Sequence, residues 1–307
     1  MDASLVSAPS SEDWIVRVTY HQILVGADES VDGRHAVSAA HMLAASSHAQ
    51  VTILKVLAVP SAGDVPAGRW ISTTTAGPGG QHSELEHFRL WLGSEAKNGA
   101  QSAVPEVAVA FGIAGIEIGR FAALRKVDLV VLGRRDRTPD HRLLLGETAD
   151  AVVRRSDVPV LFVPPDIREF RRVLVALDGT ERAAQVLEAA LAVSREFGAV
   201  LSAVTVEPDL DDERAPPPGG PMPRGRSIRL RDLLQRLPRG GAGSTGVALD
   251  VRKGNPIDGV LAAVTALPTD LLVIGYRRGG PPKIVGPTDI ARNLLYAAPS
   301  AVLTVPL

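Results

Sequence analysis

Two glycines with basic neighbours mark where this chain could hold an anion. In "VLGRRDRTPDHRLLLGETADAVVRR" (131–155), Gly133 closes an apolar run, Gly146 ends a charged loop, and Glu147 and Thr148 open a helical pattern. A glycine-bounded loop leading into a helix can turn its backbone N–H groups onto phosphate oxygens, reinforced by the positive end of the helix. Arg134, Arg135, Arg137 and Arg142 add four guanidiniums. Asp136 and Glu147 work against a phosphate: a carboxylate 4 Å from it costs about 1 kcal/mol in bulk water and about 4 kcal/mol at an effective dielectric of 20. The same residues read equally well as a solvated loop with internal ion pairs, Glu147 being good first-turn chemistry for its own helix.

A second loop of this kind lies further on. Gly275 is followed by Arg277, Arg278 and Lys283, then by Gly286, Pro287 and Thr288. No acid intrudes between the two glycines, but Pro287 removes one N–H donor. Two aspartates complete the set, each ending a β-branched run: Asp28 after Ala27 in "HQILVGADES" and Asp178 in "RRVLVALDGT". A polar residue there either caps the following turn with its side chain or faces a ligand, and both readings stand.

Other chemistries lack their residues. With no cysteine, disulfides, thiolate metal sites and thiol catalysis are excluded. The seven histidines form no H-E-x-x-H and no i,i+4 pair, so no metal requirement is read. The chain has no G-x-S-x-G elbow, no G-x-x-x-x-G-K-[ST] loop and no G-x-G-x-x-G after a first strand. No catalytic residues are assigned.

The strands and helices around these residues occur twice. Asp28 and Asp178 stand 150 residues apart, and Gly133 and Gly275 stand 142 apart. Each half reads as strands alternating with helices, from "ILVGA", "VTILKVLAV", "VAVAF", "VDLVVLG" and "VPVLFVP" to "VLVAL", "VLSAVTVEP", "LDVRK", "DLLVIG" and "AVLTVP". Thr180 reads as an N-cap and Gly198 as the residue closing the same helix, while Asn255–Pro256 reads as an N-cap with Pro at the first helical position. The Pro- and Gly-rich stretches 60–80 and 208–227 read as loops that pack little.

This alternation predicts α/β architecture: two tandem, doubly wound, five-stranded parallel-sheet (Rossmann-like) domains at 20–165 and 170–307, after an N-terminal tail at 1–19. In such sheets ligands bind beyond the carboxyl ends of the strands, where strand order reverses. The 45% apolar content with only 4% aromatics suits cores of Val, Leu, Ile and Ala. A net charge of −1 gives no reason to expect nucleic acid. The first residues lack the pattern of a signal peptide and no apolar run reaches the ~18 residues of a membrane span, so a cytoplasmic protein is expected.

On these residues each half resembles a universal stress protein domain, and the whole resembles a tandem member of that family, whose fold is adenine nucleotide alpha hydrolase-like. The nucleotide-binding branch of the family carries a G-x2-G-x9-G-[ST] loop around the ribose and phosphates of ATP. It also uses an Asp after strand 1 and a residue late in strand 2 that contacts adenine. Carried over, the resemblance implies Asp28, Val56, Gly133, Gly146 and Thr148 in the first half, and Asp178, Thr205, Gly275, Gly286 and Thr288 in the second. Both loops depart from the pattern. Asp136 and Glu147 replace Gly and Ser/Thr in one; Arg278 and Pro287 do so in the other, which is two residues shorter.

The resemblance implies a non-catalytic stress-response module, either an ATP sensor in one half or a nucleotide-free module meeting a protein partner through its basic loop. A weak ATP-hydrolysing enzyme is the third and least supported alternative. The family's fifth strands pair between domains, so a tandem chain is expected to pair its own final strands as a pseudo-dimer, and a further homodimer would need another surface.

Overall fold

A computed structural model describes residues 20–58, 70–72, 82–95, 105–134, 147–165, 167, 169–207, 226–237, 247–277 and 290–307. The first half runs β1 (Gln22–Gly26), α1 (Val31–Ser47), β2 (Gln50–Leu57), β3 (Trp70–Ser72), α2 (His82–Glu95), β4 (Glu106–Phe111), α3 (Ala114–Arg125), β5 (Leu129–Gly133), α4 (Glu147–Arg155) and β6 (Val160–Val163). The second runs β7 (Arg172–Ala176), α5 (Ala183–Phe197), β8 (Val200–Glu207), α6 (Arg226–Gln235), β9 (Ala248–Lys253), α7 (Pro256–Ala266), β10 (Leu271–Tyr276), α8 (Ile290–Ala297) and β11 (Ala301–Pro306).

All the strands join one sheet, in the order β3-β4-β2-β1-β5-β6-β11-β10-β7-β8-β9. Within each half the five main strands are parallel, and strand order reverses between β1 and β5 and between β7 and β10. The halves meet where β6 and β11 pair antiparallel, with Leu161 opposite Leu303, Phe162 opposite Val302 and Val160 opposite Thr304. Leu161 and Leu303 are themselves 142 residues apart, so the pseudo-twofold axis runs between two copies of one position.

Alternating side chains build two cores, one on each face. Ile23, Val25, Val131, Val173 and Leu303 pack beneath α1, α2, α5 and α6. Leu24, Val130, Phe162, Leu272 and Val302 pack beneath α3, α4, α7 and α8. Burial on both faces accounts for the near-continuous apolar runs of the central strands. Two acids lock the strand starts. Asp128 accepts hydrogen bonds from the His21 and Gln22 N–H groups, and Asp270, 142 residues later, accepts from those of Arg171 and Arg172.

Several helix ends follow local chemistry. Ser30 caps α1 by accepting from the Gly33 N–H, and Asn255 caps α7 by accepting from Ile257 and Asp258. Gly198 closes α5 in the left-handed region at φ 59°. Thr180, expected as the N-cap of α5, is not: its hydroxyl donates to Asp178, a turn intervenes, and the helix begins at Ala183. The 60–80 stretch also holds more than loop. Residues Trp70–Ser72 pair antiparallel with Ala108–Ala110 of β4, and Trp70 meets Phe121 edge-on. Three residues are too few to show a strand period in sequence. Among the described residues, no helix is long and apolar enough to cross a membrane.

Candidate functional site

The carboxyl ends of β1 and β5 bring the first-half residues together. Ala27 is buried, and its N–H donates to the Leu54 carbonyl, fixing the exit of β1. Asp28 follows, exposed, with its carboxylate accepting from the Ser30 N–H at 3.0 Å. The backbone then folds tightly into α1: a Cβ on Gly33 would lie 2.3 Å from the Asp28 carbonyl oxygen. Beside it, a Cβ on Gly133 would lie 2.0 Å from the Asp32 carbonyl oxygen. Gly133 is therefore demanded by the start of α1 pressing on the end of β5, whether or not a ligand binds.

Arg134 turns away from that mouth. Its guanidinium is buried and donates to the carbonyls of Leu295 and Ser300, each at 2.9 Å. One is in the last turn of α8 and the other just before β11, so a residue expected to face phosphate ties the first half to the second. Glu147 is the first residue of α4 and Thr148 follows it, half-buried. Arg135 and Gly146 lie outside the described residues.

In the second half, Asp178 repeats the Asp28 turn more tightly, accepting from the Thr180 N–H at 2.9 Å and the Thr180 hydroxyl at 2.7 Å. Gly275 differs from Gly133. A Cβ there would meet only side chains, Leu307 Cδ1 at 2.6 Å and Val186 Cγ2 at 3.0 Å. Arg277 stands exposed just past β10. Arg278, Gly286 and Thr288 lie outside the described residues.

Strand register separates Val56 from Thr205. Pairing of Gln22 with Gln50 and of Arg172 with Val200 makes Lys55 the counterpart of Thr205 and Val56 the counterpart of Val206. Because side chains alternate, a one-residue offset moves a residue to the other face of the sheet. Val56 and Val206 accordingly join the α3/α7 core, while Thr205 points the other way. Thr205 is buried, and its hydroxyl has no hydrogen-bond partner.

Sequence reasoning missed what occupies that opposite face. In the first half buried Lys55 pairs with Glu29 and lies 5.5 Å over the Phe88 ring. In the second half Gly179 stands where Glu29 does, and a Cβ on it would lie 3.0 Å from Arg226 Cβ. Glu207, at the end of β8, accepts from the Ser227 N–H. Its hydrogen bonds with Ser227, side chain first and backbone second, hold its pKa below the usual carboxylate range. The two halves have thus rebuilt one corner with different charges, and no spacing rule signals such a pairing in advance.

The arrangement contains no nucleophile–base pair among the described residues. Among the described residues no group of three or more His, Cys, Asp or Glu could hold a metal ion. At the strand ends, the exposed polar groups among the described residues include Asp28 in one half, and Asp178 and Arg277 in the other.

Comparison with known proteins agrees with this architecture. Residues 19–164 and 169–306 each match the universal stress protein family. A universal stress protein of Methanocaldococcus jannaschii, MJ0531, is 38% identical over 58 residues, which is 19% of this chain and 34% of that protein's length. Among solved structures, a universal stress protein from Archaeoglobus fulgidus superposes with a TM-score of 0.66 at 19% identity, covering 93% of this chain and 98% of the other. A second solved structure, from Pseudomonas aeruginosa, gives 0.62 at 15%, covering 94% and 93%. At these identities the likeness concerns the fold.

Proposed function

Because the chain belongs to the universal stress protein family through both of its halves, we propose that it is a non-catalytic ligand-binding module of the stress response, acting in the cytoplasm and taking an adenine nucleotide such as ATP in its second half. One observation carries the choice of half. Arg134, the residue after Gly133, is withdrawn into the seam between halves, whereas Arg277 stands exposed beyond Gly275, in the half whose first strand also ends at an exposed carboxylate, Asp178. An exposed guanidinium at the carboxyl end of a parallel strand is placed to meet phosphate, and Arg does so bidentately.

A second reading has its own support. Asp28, Asp178 and Gly133 all have structural work without any ligand, as turn caps and as a close contact. That favours a nucleotide-free interaction module.

Calorimetric titration of the full chain with ATP separates the two readings. Arg277→Glu should abolish binding, while Asp28→Ala should leave it within about twofold. Absence of ATP binding in the wild-type chain, or loss through Asp28→Ala alone, overturns the nucleotide reading.

A further inference from the structure

Among the described residues, the two outer edges of the sheet differ. On the first-half side, β4 is covered by β3, a strand of three residues. On the second-half side the sheet ends at β9, six residues long, whose one strand neighbour among the described residues is β8. An edge of that length presents a row of N–H and C=O groups to any extended segment that can pair with it.

The side chains of β9 select the segment. Its sequence, Ala248-Leu249-Asp250-Val251-Arg252-Lys253, places Asp250 and Arg252 on one face, where they form an ion pair at 2.7 Å. Both are partly exposed, at 34% and 25% of the side chain. Edge charges ordinarily deter pairing, but the order of these two permits one register. If a second β9 runs antiparallel with Val251 opposite Val251, Asp250 of each strand faces Arg252 of the other, and the four charges alternate across the seam. Moving the centre to Asp250 sets Asp against Asp; moving it to Arg252 sets Arg against Arg. Opposite charges placed directly across an antiparallel pair stabilise it and like charges destabilise it, by roughly 0.2–1 kcal/mol each. The twofold makes every such contact count twice.

We infer that β9 is a self-association edge: two copies of this chain join antiparallel through β9, centred on Val251, extending the sheet from one molecule into the next. The pairing uses neither the seam between the halves nor the carboxyl-end residues considered above, so it stands apart from the nucleotide reading.

The test uses the full chain in analytical ultracentrifugation over a concentration series, with hydrogen exchange of 247–254 measured on the same samples. The wild-type mass should rise with concentration from 32.3 kDa toward twice that value, and exchange in β9 should slow in step. Asp250→Arg sets Arg against Arg252 of the other copy, and Arg252→Asp sets Asp against Asp250. Each should weaken association at least ~10-fold, the equivalent of about 1.4 kcal/mol. The double variant Asp250→Arg with Arg252→Asp restores both opposite pairs and should return association to within ~3-fold of wild type. Circular dichroism confirms folding of each variant. A wild-type chain that stays monomeric throughout overturns the inference. So does a dimer that persists unchanged in both single variants, or one the double variant fails to restore.

Discussion

Asp150 and Arg292 occupy the same position in the two halves, 142 residues apart, and they meet each other: Arg292 Nε lies 3.5 Å from Asp150 Oδ1 across the seam. The contact is an ion pair without a hydrogen bond to that oxygen. Asp150 Oδ2 pairs with Arg154 at 2.9 Å, and Arg292 Nε donates to the Tyr296 hydroxyl at 3.1 Å. If either half paired with a copy of itself, this position would set Asp against Asp or Arg against Arg. The divergence of one duplicated position into opposite charges therefore favours pairing of unlike halves.

A double-mutant cycle of Asp150→Asn and Arg292→Gln measures this relationship. Both side chains are largely buried, so a coupling of about 1 kcal/mol is expected from urea unfolding of the two single variants, the double variant and the wild type. Additive effects would show that the pair contributes nothing across the seam.

Arg134 should matter for stability more than for ligand binding. Arg134→Gln leaves the Leu295 and Ser300 carbonyls without their charged donor, and about 2–3 kcal/mol should be lost in urea unfolding. ATP affinity should stay within about twofold in conditions where the variant is folded.

The two strand-end glycines should respond differently to alanine. Gly133→Ala drives a methyl into the backbone of Asp32, which cannot move without shifting the start of α1; a loss of about 3 kcal/mol is expected. Gly275→Ala meets the side chains of Leu307 and Val186, which can rotate, and about 1 kcal/mol is expected. Thermal unfolding of the two variants side by side reads the difference.

Thr205→Val removes a buried hydroxyl that has no partner while keeping the shape of the side chain. A gain of about 1 kcal/mol in unfolding free energy is expected, with unchanged ATP affinity. A fall in affinity would return Thr205 to the ligand site.

His41, on α1, has its pKa lowered by burial, and its Nε2 atom is buried without a partner. The unfolded chain therefore takes up this proton more readily than the folded one. The effect is absent well above about pH 6.5, and stability falls as the pH drops from there toward the folded-state pKa. In His41→Leu the melting temperature should decline less steeply between about pH 6.5 and 5 than in the wild type.

Much of the fold was legible from local pattern. The repeat offsets of 150 and 142, the apolar runs of the buried strands, and the caps at Asn255 and Gly198 each follow from residues close in sequence. The misreadings have local causes. Thr180 looked like a cap because spacing cannot reveal that Asp178 would take its hydroxyl. The family motif sets Thr205 level with Val56, whereas the backbone pairing of β8 with β7 sets it in Lys55's place.

What sequence alone determined is the duplicated, doubly wound α/β plan and the kind of residue standing at each strand end, because strand and helix periods and turn chemistry act within a few residues. Which of those residues remain at the strand ends depended on the packing of the two halves. Arg134 could be seen to leave them only when its two carbonyl partners, more than 160 residues away, came into place. A long side chain settles where a buried charge finds its hydrogen bonds, and those partners exist only once the two halves have met.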